Sequence, residues 1–121
     1  IDQLRNEKKI KIIDDEFRAP TLAEDLSEAC INVIIGKSYG VYNTSGPIVM
    51  SIYEIVVEIA RHFNFPVQNI QRISSKILAQ KAKRPKFTGL ELTKAKKKFN
   101  YTPKTFKESL SIIENQIKIN K

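Results

Sequence analysis

Apolar residues recur every three or four positions in two long stretches of the chain, and this spacing predicts two amphipathic α-helices. The first predicted helix opens at Thr21 and ends at Gly36, since glycine commonly closes helices. Its apolar face comprises Leu22, Leu26, Ala29, Cys30, Val33 and Ile34. The second predicted helix opens at Ser51, and its apolar face comprises Ile52, Ile55, Val56, Ile59, Ala60 and Phe63. Both helices are expected to pack one face against a hydrophobic core.

The predicted helix starts carry capping boxes, in which Ser or Thr and a Glu three positions later bond each other's backbone N–H groups. The boxes are Thr21 with Glu24, Ser51 with Glu54, and Thr105 with Glu108. The third box predicts a last helix, whose buried face comprises Leu110, Ile113 and Ile117.

Short runs of β-prone residues lie between the predicted helices. Two strands are expected at Ile10 to Ile13 and Gly40 to Thr44, with a possible third at Ile70 to Ile73. Two further short helices are expected near residues 75–81 and 93–99, the second ending at Asn100, which tolerates a left-handed backbone. The pattern as a whole predicts an α/β fold of mostly helices with two or three short strands.

Size and composition favour one domain over residues 1–121, because 121 residues with 41% hydrophobic content can bury a modest core. The single cysteine, Cys30, excludes an internal disulfide and fits a reducing cytosol; it is expected in the core. No apolar run approaches the ~20 residues of a membrane span, so a soluble cytoplasmic protein with no membrane partner is predicted. Because the chain opens on Ile1 and a charged segment, we expect a domain cut from something longer.

The whole net charge of +8 resides in one stretch of 23 residues, Lys76 to Lys98. This stretch holds nine basic residues against one acidic residue, Glu91, while the acidic and basic residues of the remaining chain balance. A neutral protein with one cationic region attracts an anionic ligand to one place, so a phosphate-bearing partner is predicted.

Phosphate-binding motifs of nucleotide enzymes are absent from the chain. Gly36-Lys37-Ser38 ends like a P-loop, but Ile31 stands where the motif requires its first glycine. The four glycines form no G-x-G-x-x-G, and no tyrosine is followed four positions later by a lysine. The sequence therefore shows no dinucleotide-binding loop and no hydride-transfer machinery.

Two other groups of polar residues are interpreted as ordinary surface. His62 follows Glu58 by one helical turn and is expected to pair with it on the polar face of a helix. Asp14-Asp15-Glu16 could bind a hard cation, but three consecutive carboxylates of an extended chain point in different directions. A solvated strand end is expected there, and no metal site.

The cationic region divides into two parts. Lys94 and Lys96 to Lys98 lie near the end of a short helix, where positive charge complements the helix dipole and solvation explains it. Pro85 holds the segment around Arg84 and Lys86 out of regular helix, and an arginine there offers a planar fork to an oxyanion. Arg84 is therefore the candidate for a diphosphate contact.

Five segments of the chain, in order, resemble the dTDP-4-dehydrorhamnose reductases, sugar-nucleotide reductases of the extended short-chain dehydrogenase class. Residues 82–90 (AKRPKFTGL) resemble the family's A-x-R-P-x-x-S/T-x-L segment. The segment DEFRAPT at 15–21, followed by Asp25-Leu26, is similar to its D-Q/E-x-R-x-P-T…D-L segment. The remaining similar segments are GVYNTSG at 40–46, SIYE at 51–54 and FNYTP at 99–103, where Asn100 replaces the usual glycine.

The resemblance covers only the C-terminal, substrate-binding lobe of that family. It implies that the parent polypeptide uses NADPH or NADH to reduce a 4-keto sugar attached to a nucleoside diphosphate. It also implies a partner Rossmann domain before Ile1 and a fragment that is itself non-catalytic and binds no cofactor. Arg84 occupies the position of an arginine that approaches the diphosphate in related reductases and epimerases. Lys86 and Arg18 are further substrate-binding candidates, although Arg18 could instead pair with Asp14 or Glu16.

Two alternatives to this interpretation stay open at the level of sequence. The basic stretch could make the chain a small nucleic-acid-binding module, although Phe87 is its single aromatic residue and such modules interleave several. The parent could also be a non-catalytic regulatory relative of the reductases, built on the same lobe.

Overall fold

The computed structural model describes residues 1–6, 8–77 and 84–119. Its α-helices are α1 (Asp2–Arg5), α2 (Ala23–Ile35), α3 (Ile52–His62), α4 (Thr93–Phe99) and α5 (Phe106–Ile119). Its strands are β1 (Ile10–Ile13), β2 (Phe17–Arg18), β3 (Met50–Ser51), β4 (Ile70–Ile73) and β5 (Phe87–Thr88). Short 3-10 turns lie at Val67–Asn69 and Ser75–Ile77. The fold is mixed α/β and rich in helix, as the apolar pattern predicts.

The chain forms two compact units. The first unit contains Ile1–Arg18 and Met50–Thr88, and the second contains Ala19–Val49 and Gly89–Lys121. The basic stretch is divided between them, since Arg84 and Lys86 belong to the first unit and the lysines of α4 to the second. The prediction of a single domain over residues 1–121 stays a prediction.

The core of the first unit lies between α3 and a two-stranded parallel sheet. Strand β1 pairs with β4 in the register Ile10 to Ile70 and Ile13 to Ile73. Both pairs of isoleucines are buried. Residues three apart on a strand point to opposite faces, and only Ile10 and Ile70 belong to the cluster with α3. The buried cluster comprises Leu4, Ile10, Val57, Ala60 and Ile70. The predicted strands at 10–13 and 70–73 are confirmed with these bounds.

A second sheet of the first unit has the strand order β3-β2-β5 and only two residues per strand. Strand β2 runs antiparallel to β3, with Phe17 opposite Ser51, and parallel to β5, with Phe17 opposite Phe87. The apolar pattern did not predict these strands, because two residues are too few to show an alternation. They nevertheless bring two distant segments of the sequence side by side.

The core of the second unit gathers residues from α2, α4 and the segment that follows α4. Its buried members are Ala29, Leu92, Ala95 and Tyr101. The Tyr101 hydroxyl donates a hydrogen bond of 3.0 Å to the carbonyl of Ser45. As predicted, α4 ends at Asn100, which takes a left-handed conformation with φ of 54°.

Two of the three capping boxes are confirmed. The Ser51 hydroxyl accepts from the Glu54 N–H at 3.1 Å, and the Glu54 carboxylate accepts from the Ser51 N–H at 2.7 Å. Thr105 and Glu108 form the same reciprocal pair before α5. The Thr21 box is wrong: α2 begins at Ala23, because the Thr21 hydroxyl accepts from the Gly46 N–H at 2.8 Å instead.

Two further expectations in the second unit are wrong. Residues 40–44 form no strand; Lys94 Nζ donates to the Val41 carbonyl at 2.8 Å, so a side chain and not a neighbouring strand takes up this acceptor. Cys30 is exposed on α2, because the buried side of that helix runs through Asp25 and Ala29.

The short helix expected at 75–81 is a 3-10 turn at Ser75–Ile77, and its remainder lies outside the described residues.

Within the described ranges, none of the helices combines the length and the apolar composition that a membrane crossing requires.

Candidate functional site

The pairing of β2 with β5 places the segment around Arg18 beside the segment around Arg84. The Phe17 N–H donates to the Lys86 carbonyl at 2.6 Å, and the Thr88 hydroxyl donates to the Phe17 carbonyl at 3.3 Å. Residues that are about 70 positions apart in sequence therefore share one small sheet. Two of the sequence-predicted substrate-binding segments meet here.

The Arg18 side chain makes three hydrogen bonds beside this sheet. Its Nη2 donates to the Glu16 carboxylate at 2.6 Å. Its Nη1 donates to the carbonyl of Phe17 at 2.7 Å and to the carbonyl of Pro85 at 3.1 Å. The guanidinium thus joins β2 directly to the loop between Arg84 and Lys86.

Glu16 is buried and is itself fixed from two sides. Its side chain is 7% exposed against 26% for the Arg18 side chain. Its backbone carbonyl accepts a hydrogen bond of 3.0 Å from the N–H of Ile52, the first residue of α3. Because Ser51 caps that helix, the backbone of Glu16 is bonded to a helix start of well-defined geometry. Sequence reasoning had Glu16 only as one alternative partner of Arg18; in extended chain, residues two apart share a face, which favours this pair.

Arg84 and Lys86 are exposed, and in the described part of the chain neither makes a hydrogen bond or ion pair through its side chain. Pro85 separates them, and both precede β5 in non-helical backbone, as the proline predicts. Lys83, which precedes Arg84 in the sequence motif, lies outside the described residues. Two cations with no carboxylate partner, on a loop bound by Arg18, can therefore receive an anion.

Two phenylalanines add an apolar surface next to these cations. Phe17 and Phe87 are paired across β2 and β5, with ring centroids 6.4 Å apart and planes inclined by 37°. Phe87 is 63% exposed, which is unusual for a large aromatic side chain. Sequence reasoning noted Phe87 only as an isolated aromatic residue and missed its partner, because the pair forms across a strand register that the pattern does not show.

The acidic run at 14–16 is not a solvated strand end, and that expectation is wrong. Asp15 accepts hydrogen bonds from the Ser75 N–H at 2.8 Å and from the hydroxyls of Ser74 and Ser75 at 2.9 and 3.0 Å. These bonds, the Ser75 N–H first among them, hold the pKa of the Asp15 carboxyl below its usual value. Asp15 and Glu16 turn to different partners, as expected for consecutive carboxylates. Among the described residues, no group of three potential ligands is placed to hold a metal ion.

The remaining candidates lie on other elements than the strands of this sheet. In the second unit, Lys94 Nζ lies 4.7 Å from the centre of the Tyr42 ring, while Lys96 to Lys98 are exposed on α4, as predicted. In the first unit, the Glu58 carboxylate accepts a hydrogen bond from Arg61 at 2.9 Å. His62 packs edge-on against Phe63, with ring centroids 4.9 Å apart. The predicted pair of His62 with Glu58 stays a prediction.

Comparison with solved structures shows the same fold in longer enzymes. The chain is similar to a dTDP-4-dehydrorhamnose reductase from Clostridium acetobutylicum, with 24% identity, a TM-score of 0.88, and coverage of 97% of this chain and 41% of that one. It is similar to the enzyme of the same name from Bacillus anthracis in complex with NADP, with 21% identity, a TM-score of 0.86, and coverage of 95% and 41%. A more distant likeness, with 20% identity, a TM-score of 0.69, and coverage of 94% and 37%, is to a dTDP-glucose 4,6-dehydratase of Bacillus anthracis in complex with NAD.

The chain thus spans about 41% of the length of the reductases that it matches. A comparison with curated protein sequences finds no match. The profile of one protein family, described as the RmlD substrate binding domain, matches residues 1–118 and so includes both compact units. By this match the chain belongs to the RmlD substrate binding domain family.

Proposed function

We propose that the chain is the substrate-binding lobe of an NAD(P)H-dependent reductase that acts on nucleoside-diphosphate 4-keto-6-deoxy sugars. Membership of the family supports a substrate-binding role, and the names of the similar structures support a dTDP-sugar as the substrate. The proposal keeps the cytoplasmic location that the single cysteine favours.

Arg84 and Lys86 bind the diphosphate in this proposal. The observation that carries it is the contrast in charge compensation: Arg18 is paired with Glu16 at 2.6 Å, while Arg84 and Lys86 are exposed and unpaired within the described residues. The Arg84 guanidinium presents several N–H donors in one plane and can bond two phosphate oxygens at once. Lys86 adds a point charge on the other side of Pro85.

The chemical step belongs to another part of a longer polypeptide in this proposal. The cofactor, NADPH or NADH, supplies the hydride that reduces the keto carbon. This chain has no glycine-rich G-x-G-x-x-G loop and no Tyr-x-x-x-Lys pair with which to hold that cofactor or donate a proton. Its residues bind and orient the nucleotide end of the substrate, which confines the sugar to one position relative to the hydride donor. In a regulatory relative the same lobe would bind without turnover, and an assay of the full-length polypeptide with a dTDP-4-keto-6-deoxy sugar and NADPH separates the two.

A titration of the chain with dTDP, followed by phosphorus NMR of the nucleotide, tests the binding role. Replacing Arg84 by Met removes one charged hydrogen-bonding group, so affinity is expected to fall roughly ten- to a hundredfold. The matched control is Lys97→Met, which removes the same charge from exposed helix α4 and is expected to leave affinity within about twofold. Equal losses in the two variants, or no binding by the unmodified chain, contradict the proposal.

A further inference from the structure

We propose that Arg18 is a positioning residue: together with Glu16 it forms a clamp that holds the loop at residues 84–86 in the conformation that binds a diphosphate. This role deepens the proposed function and rests on it. The clamp consists of the carboxylate of Glu16, the guanidinium of Arg18 and the carbonyl of Pro85, joined by bonds of 2.6 and 3.1 Å. Arg18 itself does not contact the ligand.

Charge separates the role of Arg18 from that of Arg84. The positive charge of Arg18 is compensated by a carboxylate whose side chain is only 7% exposed. A diphosphate approaching Arg18 would compete with that carboxylate and would be repelled by it at close range. Arg84 and Lys86 have no such neighbour in the described part, so an anion gains more from them.

The geometry of the contact requires an arginine. One guanidinium donates at the same time to a carboxylate oxygen, to the carbonyl of its own strand and to the carbonyl of Pro85. These acceptors lie around a planar fork, whereas the lysine ammonium is a single point at the end of a flexible chain. A lysine at position 18 keeps the charge and loses the bridge.

The Glu16 end of the clamp is held by backbone contacts to the start of α3. The Glu16 carbonyl accepts from the Ile52 N–H at 3.0 Å, and Phe17 is paired with Ser51 at the capped start of α3. The loop at residues 84–86, at the other end of the clamp, consists of exposed residues. Binding a ligand to a loop that is already ordered avoids the entropy of ordering it, which is how such a clamp raises affinity.

The test measures dTDP affinity by phosphorus NMR in Glu16→Gln, Arg18→Lys and the double variant Glu16→Gln/Arg18→Lys. If Arg18 acts through the clamp, Glu16→Gln weakens binding roughly three- to tenfold, and Arg18→Lys weakens it similarly despite its retained charge. If Arg18 were a direct ligand, Glu16→Gln would remove a repulsive charge and strengthen binding, and Arg18→Lys would keep much of the affinity. The double variant is expected to bind about as weakly as each single variant, since the two residues act as one unit.

Amide hydrogen exchange of residues 86–88 gives a readout that does not depend on the ligand. Faster exchange there in Glu16→Gln and Arg18→Lys, with unchanged exchange in the β1 and β4 strands, is expected from a local loosening. Unchanged exchange and unchanged or higher dTDP affinity in Glu16→Gln overturn the clamp while leaving the proposed function intact, provided that Arg84→Met still loses binding. Failure of the unmodified chain to bind dTDP overturns the proposed function and this role with it.

Discussion

Asp25 and Lys104 are joined by two hydrogen bonds, although 79 positions separate them in the sequence. The Asp25 carboxylate accepts from the Lys104 backbone N–H at 2.8 Å and from its Nζ at 2.9 Å. The carboxylate is 2% exposed, so it is nearly removed from water, while the lysine side chain is 39% exposed. One buried group of α2 thereby holds the segment that leads into α5.

Replacing Asp25 by Asn is expected to lower the free energy of unfolding by about 1–3 kcal/mol, because the two hydrogen bonds from Lys104 lose their charged, buried acceptor. Urea unfolding followed by circular dichroism measures the change. Asp2→Asn is the matched control, since the side chain of Asp2 is exposed on α1 and its loss is expected to change stability by less than about 0.5 kcal/mol. Equal effects of the two substitutions would contradict the structural role of Asp25.

The same pair predicts a loss of stability in alkali. The hydrogen bond from Lys104 to Asp25, followed by their charge interaction, raises the pKa of the Lys104 ammonium above its usual value. Because the pKa is raised in the folded state, the Lys104 ammonium stabilises the folded protein fully at pH values below the ordinary lysine pKa of about 10.4. This contribution to the free energy of unfolding disappears as the pH rises through the higher pKa of the folded state.

The corresponding experiment compares the chain with Lys104→Met in urea at about pH 8 and about pH 11. The stability difference between the two proteins is expected to shrink at the higher pH. Burial raises the pKa of Tyr101 as well and acts in the same direction, so only the difference between the two proteins isolates Lys104. A difference that stays constant or grows with pH would exclude this role of the ammonium group.

Ser51→Ala removes the hydroxyl that caps α3 and is expected to cost about 1 kcal/mol. The matched control is Ser27→Ala within α2, where the hydroxyl only bonds the carbonyl one turn before it. Alanine is a better helix former than serine, so the control is expected to be neutral or slightly stabilising. Thermal unfolding of the two variants measures both effects, and indistinguishable midpoints would show that the cap is dispensable.

Binding of nucleic acid by this chain is expected to be negligible at physiological salt. Within Lys76 to Lys98 there is only one aromatic residue for base stacking, Phe87. Fluorescence anisotropy of a labelled single-stranded oligonucleotide, titrated at several salt concentrations, measures this. Micromolar affinity with a steep salt dependence would instead support a module that follows the phosphate backbone.

The sequence predicted the elements whose own residues carry a pattern and missed contacts that are made between distant residues. Strands β1 and β4 each begin and end with isoleucine, and α3 carries both its apolar face and its cap, so these were predicted correctly. The box at Thr21 has the same letters as the one at Ser51, yet its hydroxyl is used by the N–H of Gly46. Such a distant contact leaves no periodic signal.

The candidate site likewise combines a loop that the sequence predicts with a contact between distant residues that it does not predict. The proline beside Arg84 indicated a non-helical loop with an available arginine, which is what the structure has. The contact of Arg18 with Pro85 depends on the pairing of β2 with β5, two strands too short for pattern analysis. For that reason Arg18, a substrate-binding candidate by its sequence motif, is proposed above as a support of the loop at residues 84–86.

The most direct test of the central claim, that the loop at residues 84–86 receives a diphosphate, is the position at which dTDP binds. Two-dimensional amide NMR spectra of the chain, recorded during a titration with dTDP and in parallel with thymidine, locate it. The account predicts saturable shifts centred on Arg84, Lys86 and Phe87, with smaller ones at Phe17 and Arg18, and far weaker effects from thymidine, which lacks the phosphates. Shifts centred on the lysines of α4, or shifts of equal size with thymidine, would contradict it.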